Sequence, residues 1–496
     1  MPDGRGSGSG PSGAARGRES SGRLGDAGSS TDGNGHGRGP NGGGTRRKGS
    51  GSRSKLSAGR RLAADAVRQV RERGAYVQNV VQGTVLPARA SREDKAFAEL
   101  LATGVASTWG TLDELIDRNL DSPDDIGDVV RDALRISAYE MLFLGKPDHV
   151  AVDQGVELVR YVAPRAAGLG NAVLRKMARD AKGFPWGDIA TDDAALARSQ
   201  GFPLWLAELL VERYGRESAQ GFMRVCNEPA PMFLAVNSIK ADVVDVMEEL
   251  ESAGAGPKAY GPEGMGCILV SDPSRAVSCD ALRDGRAVVS DASAQLAALV
   301  ATPVGNGPYL EVGSGRGTKT VLLQSNAFRR NGRQAQMCCV DLHAFKNGVL
   351  RDRGELAGLE GVSIFEGDAT RLDRVEGLPA MFSQALVDAP CSGLGTLRRH
   401  PEIRWRCSPD QVSELAATGL GMLRSAAPLI EPGGFIVFST CTVAREEDED
   451  VVEAFLASGE GRGFSVEPVG GRSYLLNGLS SGGPDVHFVA KLVRGG

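Results

Sequence analysis

Residues 308–320 read Pro-Tyr-Leu-Glu-Val-Gly-Ser-Gly-Arg-Gly-Thr-Lys-Thr. The first five make an apolar run of strand length. Glycines then follow at alternate positions, Gly313, Gly315 and Gly317, ahead of a helical stretch. Glycines so placed let a chain turn sharply and bring its backbone close to a ligand at a helix N-terminus. Working downstream, short apolar runs recur at 336–341, 362–368, 384–390 and 433–440, with one more at 487–492 expected to close the sheet. Helical stretches separate most of them. Strands alternating with helices predict a doubly wound, largely parallel sheet, a class I (Rossmann-like) α/β domain over 286–496. In such sheets ligands sit beyond the carboxyl ends of the strands.

Upstream the period changes. Leu62, Ala66 and Val70 recur at four-residue steps, and 94–107, 125–144, 150–162 and 167–180 carry similar apolar stripes. The span 56–185 is therefore expected to be an all-α bundle, with Pro147 and Pro164 as breakers. A small α/β module is expected over 200–285, from helical patterns at 202–215 and 241–254 and strand signals at 232–237 and 266–270, with another at 287–289 beside it. Residues 1–55 are rich in Gly, Ser and Arg with almost no large apolar side chain. Such a segment cannot bury enough surface to offset its ordering entropy, and it reads as a disordered tail.

Hydrophobic residues at 41% and charged residues at 24% of 496 positions suit a soluble multidomain protein. No run approaches the eighteen or so apolar residues of a membrane span, and the N-terminus has no signal-peptide core, so a cytoplasmic monomer without membrane contact is expected. Eight cysteines are too sparse for a disulfide scaffold, and their spacing matches no metal site. In a reducing compartment most should be buried thiols, and an exception should be catalytic. The net charge of −5 is uneven: the first 55 residues hold ten Lys/Arg against four acids, so the remainder is at −11. Whole-chain charge bears on solubility, and local patches bear on binding.

The glycine loop alone fits NAD, FAD and S-adenosylmethionine equally. Two acids sharpen the reading. Asp341 ends the second strand, where a carboxylate can accept both hydroxyls of a ribose; Asp368 ends the third and can accept from an adenine amine. With Glu311 on the first, three consecutive strand ends carry an acid, and the GxGxG spacing differs from the dinucleotide GxGxxG. S-adenosylmethionine is the cofactor expected, with Glu311, Gly313, Ser314, Gly315, Arg316, Gly317, Thr318, Lys319, Asp341 and Asp368 as its contacts. The fourth strand runs into Asp388-Ala-Pro-Cys391 and the fifth into Ser-Thr-Cys441-Thr. Neighbouring strand ends would bring two thiols and a carboxylate together over the cofactor. That set suits methylation of cytosine at C5, a poor nucleophile until a thiolate adds to C6 and turns the ring into an enamine. The acid can hydrogen-bond N3 and the exocyclic amine. Arg398, Arg399, His400, Arg404 and Trp405 follow directly, a basic and aromatic cluster expected to hold an unstacked base and its phosphates. A NAD-linked oxidoreductase would give the paired thiols no task, and a non-catalytic RNA-binding assembly factor would not need Cys441.

The segments VDAPCSGLGTLRRHPEIRW (387–405) and FSTCTVAREEDE (438–449) closely resemble the bacterial RsmB/Sun family of ribosomal RNA 5-methylcytosine methyltransferases, within the NOL/NOP/Sun group. The resemblance covers nearly everything after residue 56. It implies that the helical region is a NusB-like RNA-binding domain, and that PLWLAELLVERYG and FLAVN belong to the small module. It likens SDASAQLAA (290–298) to the segment leading into the sheet and HFVAKLVR to the last strand. It also implies that Cys441 is the nucleophile, that Cys391 assists resolution and release, that Asp388 contacts cofactor and base, and that the substrate is 16S ribosomal RNA. The family's first loop usually reads Asp-x-Cys-Ala-Ala-Pro-Gly-Gly-Lys-Thr. Here the carboxylate, one glycine and Lys319-Thr320 are kept, Arg316 replaces the proline, and Ala235 stands where an arginine is usual.

Overall fold

The computed structural model describes residues 56–83 and 90–496, and the tail read over 1–55 lies outside the described residues. Six helices build the amino-terminal part: α1 (Ala58–Arg73), α2 (Val77–Gln82), α3 (Arg92–Asp117), α4 (Asp128–Leu142), α5 (Asp148–Val162) and α6 (Ala167–Asp180). Their starts follow capping chemistry. Ser57 accepts the Arg60 N–H at the head of α1, and Ser91 with Asp94 closes a reciprocal capping box on α3. Their apolar stripes converge on one core that includes Leu101, Val105, Leu112, Leu134 and Leu174. α3 breaks at Thr108, which leaves helical geometry (φ −118°, ψ 18°).

Three further helices, α7 (Asp193–Gln200), α8 (Leu204–Tyr214) and α9 (Arg216–Val225), lead into a four-stranded sheet. Its strands are β1 (Met232–Val236), β2 (Pro257–Tyr260), β3 (Cys267–Val270) and β4 (Ala287–Val289), ordered β2-β3-β1-β4 and antiparallel throughout. Helix α10 (Val243–Ser252) and two single turns, α11 (Pro273–Ala276) and α12 (Asp280–Arg283), complete the module. Ala235 is buried and packs with the core of the larger sheet.

After α13 (Ala292–Val300) the chain enters that larger sheet: β5 (Tyr309–Val312), α14 (Thr318–Asn331), β6 (Met337–Asp341), α15 (Ala344–Ala357), β7 (Val362–Glu366) and β8 (Phe382–Asp388). Then come α16 (Ile403–Arg406), α17 (Pro409–Ala426), β9 (Ile430–Thr440), α18 (Glu449–Ala457), β10 (Phe464–Glu467), β11 (Leu475–Leu476) and β12 (Phe488–Arg494). The order is β10-β12-β9-β8-β5-β6-β7, with β11 paired to β12. β7, β6, β5, β8 and β9 are parallel, whereas β12 returns antiparallel to β9 and carries β10. The strand read at 487–492 is thus the turnaround of the sheet, with β10 outside it. Succession reverses direction between β5 and β8, which opens a crevice at their carboxyl ends.

Register makes that edge a single row. Val312 lies opposite Val340 on one side and Val387 on the other, and Val387 lies opposite Phe438. One residue further on, Asp341, Gly313, Asp388 and Ser439 come level across four strands.

Candidate active site

The glycine loop leaves β5 at this row. Gly313 has φ +81°, and a Cβ there would sit 2.3 Å from the Asp388 carbonyl oxygen, so only glycine lets the loop lie against β8. Gly317 (φ +79°) is closed in the same way by Leu350 of α15. The loop is held in place by Asp341, one carboxylate oxygen of which accepts the Gly315 N–H at 3.0 Å and the other the His343 N–H at 2.9 Å. Lys319, one residue into α14, reaches across the crevice to Asp388, Nζ to Oδ2, at 2.8 Å. Burial works to lower the lysine's pKa, but the charge and hydrogen bond of Asp388 outweigh it, and the net direction is up, so Lys319 stays a cation.

Two sulfur atoms sit beside that cation. All eight cysteines lie within the described residues; six are buried, and Cys391 and Cys441 are half-buried. Asp388 and Ser439 are level in the parallel pair, so the turns that follow place the two thiols together, with Sγ to Sγ at 3.4 Å. The Cys441 N–H also donates to the Cys391 sulfur at 3.2 Å. The hydrogen bond from Cys391 draws the Cys441 pKa below the ordinary thiol value against the effect of burial, and the Lys319 charge assists. The same contact, with burial, pushes Cys391 well up. Of the two thiols Cys441 is the more acidic. By contrast burial pushes Cys226 and Cys267 up to about 12 and Cys407 to about 11, which makes them inert.

Other expected residues fall differently. Glu311 is fully enclosed beneath the loop: one oxygen accepts from the Thr320 hydroxyl at 2.7 Å and from the Cys339 thiol at 3.3 Å. It ties β5 to α14 and β6. Its other oxygen, and the hydroxyl of buried Ser314, have no hydrogen-bond partner among the described residues. Thr318 accepts from Arg353, and Arg316 is exposed. Asp368 lies two residues beyond β7, exposed, with its carboxylate turned back onto the Thr370 N–H and hydroxyl at 2.9 and 2.7 Å. The orphaned Ser314 hydroxyl, the pinched glycine backbone and the Asp341 carboxylate fit a bound S-adenosylmethionine along the loop.

The basic cluster needs correction. Arg398 and Arg404 are buried, not displayed: Arg398 serves the Ser480 and Gly483 carbonyls and Asp485, and Arg404 lies over the Phe202 ring and donates to Gly201 and Asn227. Arg399 bridges Asp291 and Asp485 and donates to the Pro231 carbonyl. His400 packs on Tyr76, and Trp405 donates its indole N–H to the Ser107 carbonyl at 2.9 Å while its ring lies on Gly110. Arg398 and Arg399 pair with acids, Arg404 and Trp405 donate to groups inside the chain and His400 packs on a ring, although Arg398 Nε, Arg404 Nε and Nη2 and His400 Nδ1 have no hydrogen-bond partner among the described residues; the cluster thus joins parts of the protein and is not an open RNA surface. What the sequence reading passed over is the acidic run after Cys441. Glu447 and Asp448 fold back and are buried against the thiol loops, Asp448 accepting the Thr440 hydroxyl. A run of acids is ordinarily a solvated face, and the one sign to the contrary was its place directly behind a strand-end cysteine.

Among the described residues no group of three or more His, Cys, Asp or Glu could hold a metal ion, and no helix is long and apolar enough to cross a membrane. Residues 298–469 match the family described as 16S rRNA methyltransferase RsmB/F, residues 57–179 the NusB family, and residues 202–272 the ferredoxin-like domain of RsmF/B-like methyltransferases. The ribosomal RNA small subunit methyltransferase B of Salmonella newport is 30% identical over 400 residues, 80% of this chain and 89% of that one. Among solved structures, PH0851 shares the fold at a TM-score of 0.70 over 88% of this chain and 98% of its own, at 20% identity. A methyltransferase homolog from Pyrococcus horikoshii covers 60% of this chain and 97% of its own, with a TM-score of 0.52 and 19% identity.

Proposed function

Because the chain belongs to the RsmB/F family of 16S rRNA methyltransferases, with a NusB domain ahead of the catalytic one, we propose that its target is C5 of a cytosine in small-subunit ribosomal RNA, methylated through a covalent adduct on Cys441. The observation that carries this reading is the contact of two thiols, 3.4 Å apart, at the carboxyl edge beside Lys319 and Asp388. A methyltransferase acting on a ring nitrogen or an exocyclic amine has no use for such a pair.

The glycine loop from Gly313 to Lys319, with Asp341, would hold S-adenosylmethionine, which would supply an electrophilic methyl group. Cys441, whose pKa Cys391 and Lys319 draw down, adds as thiolate to C6 of the cytosine, and the electron pair displaced from the C5–C6 bond makes C5 nucleophilic. Asp388 accepts a hydrogen bond from the exocyclic amine and so orients the ring for addition. Once C5 carries both a methyl group and its original proton, transfer of that proton to a water molecule acting as base returns the electron pair to C5–C6 and expels Cys441 as thiolate. Cys391, in contact with Cys441, assists this elimination and release. The pairing of Lys319 with Asp388 holds the acid at the edge until a base displaces it.

Cys441→Ala is expected to abolish methyl transfer to ribosomal RNA. Cys391→Ala is expected to accumulate a protein–RNA adduct that survives a denaturing gel. An adduct that forms in Cys441→Ala but not in Cys391→Ala would reverse the two roles, and methylation undiminished in Cys441→Ala would remove the covalent route altogether.

A further inference from the structure

The acidic run behind Cys441 has no part in the chemistry above, yet one of its side chains touches both thiol-bearing turns. Glu447 is 2% exposed and sits between them. Its Oε1 accepts the Ser392 backbone N–H at 2.6 Å, and its Oε2 accepts the Ser392 hydroxyl at 2.5 Å and the Thr442 hydroxyl at 2.7 Å. The two hydroxyls are themselves 2.8 Å apart. Ser392 immediately follows Cys391, and Thr442 immediately follows Cys441. One carboxylate therefore grips the residue after each reacting sulfur, through three hydrogen bonds to two loops fifty positions apart. A buried carboxylate with three donors and, among the described residues, no cation on it is costly unless every bond is made, so the arrangement tolerates little change in the loop spacing. Asp448 braces the other side of Cys441 through the Thr440 hydroxyl.

We propose that Glu447 is a positioning residue that sets the contact between the two thiols by holding the residue that follows each of them. The proposal rests on the reading of Cys441 and Cys391 as the reacting pair. Contact between the sulfurs is what lets Cys391 donate to the Cys441 thiolate, so loosening the grip should take away the acidity of Cys441 without touching the cofactor loop. Glu447 reaches neither the glycine loop nor Asp341 through any of these bonds, which separates its effect from loss of cofactor binding.

The test measures alkylation of each cysteine by iodoacetamide in the full-length protein, by peptide mass spectrometry across the pH range of thiol titration. In the wild type Cys441 should react ahead of the other seven. In Glu447→Ala its rate at neutral pH should fall about tenfold, the equivalent of one unit of thiol pKa, with kcat reduced and KM for S-adenosylmethionine unmoved. Glu447→Gln, which can still bond both loops, should recover part of the loss. Ser392→Ala and Thr442→Val remove one partner each while preserving shape, and should move Cys441 in the same direction if Glu447→Ala fails to fold. A Cys441 that titrates as in the wild type in these variants would overturn the proposal. The covalent route itself is read separately, by whether the wild type forms a stable adduct with RNA carrying 5-fluorocytosine. Its absence would sink the reading of the reaction and leave the alkylation result to judge Glu447 alone.

Discussion

Glu311 carries a charge that the fold does not welcome. Its carboxyl has no exposed surface, and burial pushes its pKa from 4.5 up to about 7, against the lowering effect of the Thr320 and Cys339 hydrogen bonds. A pKa raised on folding means that the folded state prefers the protonated form. The stability this group contributes is full below about pH 4.5 and is lost as pH rises through about 7. Glutamine mimics the protonated form at every pH. Relative to Glu311→Gln, the wild type should lose about 3 kcal/mol between those limits and run parallel to the variant above them. Urea denaturation of both proteins at a series of pH values measures the difference, and parallel curves throughout would show that the carboxyl is not protonated in the fold. At this scale the sequence was least legible. An acid at a strand end looks the same whether it faces a cofactor or lies under the loop, as Glu311 does. Arg398 and Arg404 look like surface cations until Asp485 and Phe202, remote in the chain, are seen to enclose them.

Among elements, the turn from β5 into α14 shows how much of the site is backbone. Gly313 and Gly315 both have positive φ, +81° and +57°, but their surroundings differ. A Cβ at Gly313 collides with the Asp388 carbonyl, whereas at Gly315 the nearest atom is 3.9 Å away. Gly315→Ala should therefore cost the fold only the left-handed conformation, about 1 kcal/mol. Gly313→Ala adds a backbone clash on β8, and should cost about 1–3 kcal/mol and weaken S-adenosylmethionine binding as well. Chemical denaturation and calorimetric titration test the pair; equal effects would mean that the loop does not rest on β8. The parallel strands were readable because four of the five are short runs that stop at a glycine or an acid and the fifth ends in the Ser-Thr-Cys motif, and the row of Asp341, Gly313, Asp388 and Ser439 follows from their ends. Elements without such contrast were missed. β2, Pro-Lys-Ala-Tyr, is an edge strand with no buried position, and α9 starts directly after Gly215, where no loop separates it from α8. The thiol pair was legible as a pair; the clamp around it was not, because Glu447 reaches Ser392 across fifty-five residues.

Over the whole molecule, the segment after Cys391 is the seam between the helical bundle and the catalytic sheet. Within seven residues His400 packs on Tyr76, Glu402 accepts the Val77 N–H at 2.6 Å, Trp405 bonds Ser107, and Arg406 caps the Gly74 and Ala75 carbonyls at 2.8 and 3.0 Å. The contact falls where α3 breaks at Thr108, and the Trp405 ring occupies the space a Cβ on Gly110 would need, 2.3 Å from its nearest ring carbon. This gives Gly110→Ala opposite effects at two levels. Within a helix, alanine for glycine stabilises by about 1 kcal/mol, so the bundle alone should melt later. At the seam the added methyl displaces the indole and weakens the coupling of bundle to sheet. The expected outcome is that unfolding separates into two transitions, the helical one raised and the catalytic one lowered. Trp405→Ala should separate them as well, without raising the first. Calorimetric scans of the three proteins, with limited proteolysis between the α6 and α8 helices as a second probe, decide the matter. A single transition shifted upward in Gly110→Ala would mean that helix propensity alone acts at this site and that the seam carries no energy. If the seam does couple the two parts, both variants should also slow Cys441 alkylation, because the segment that holds the bundle is the continuation of the turn bearing Cys391.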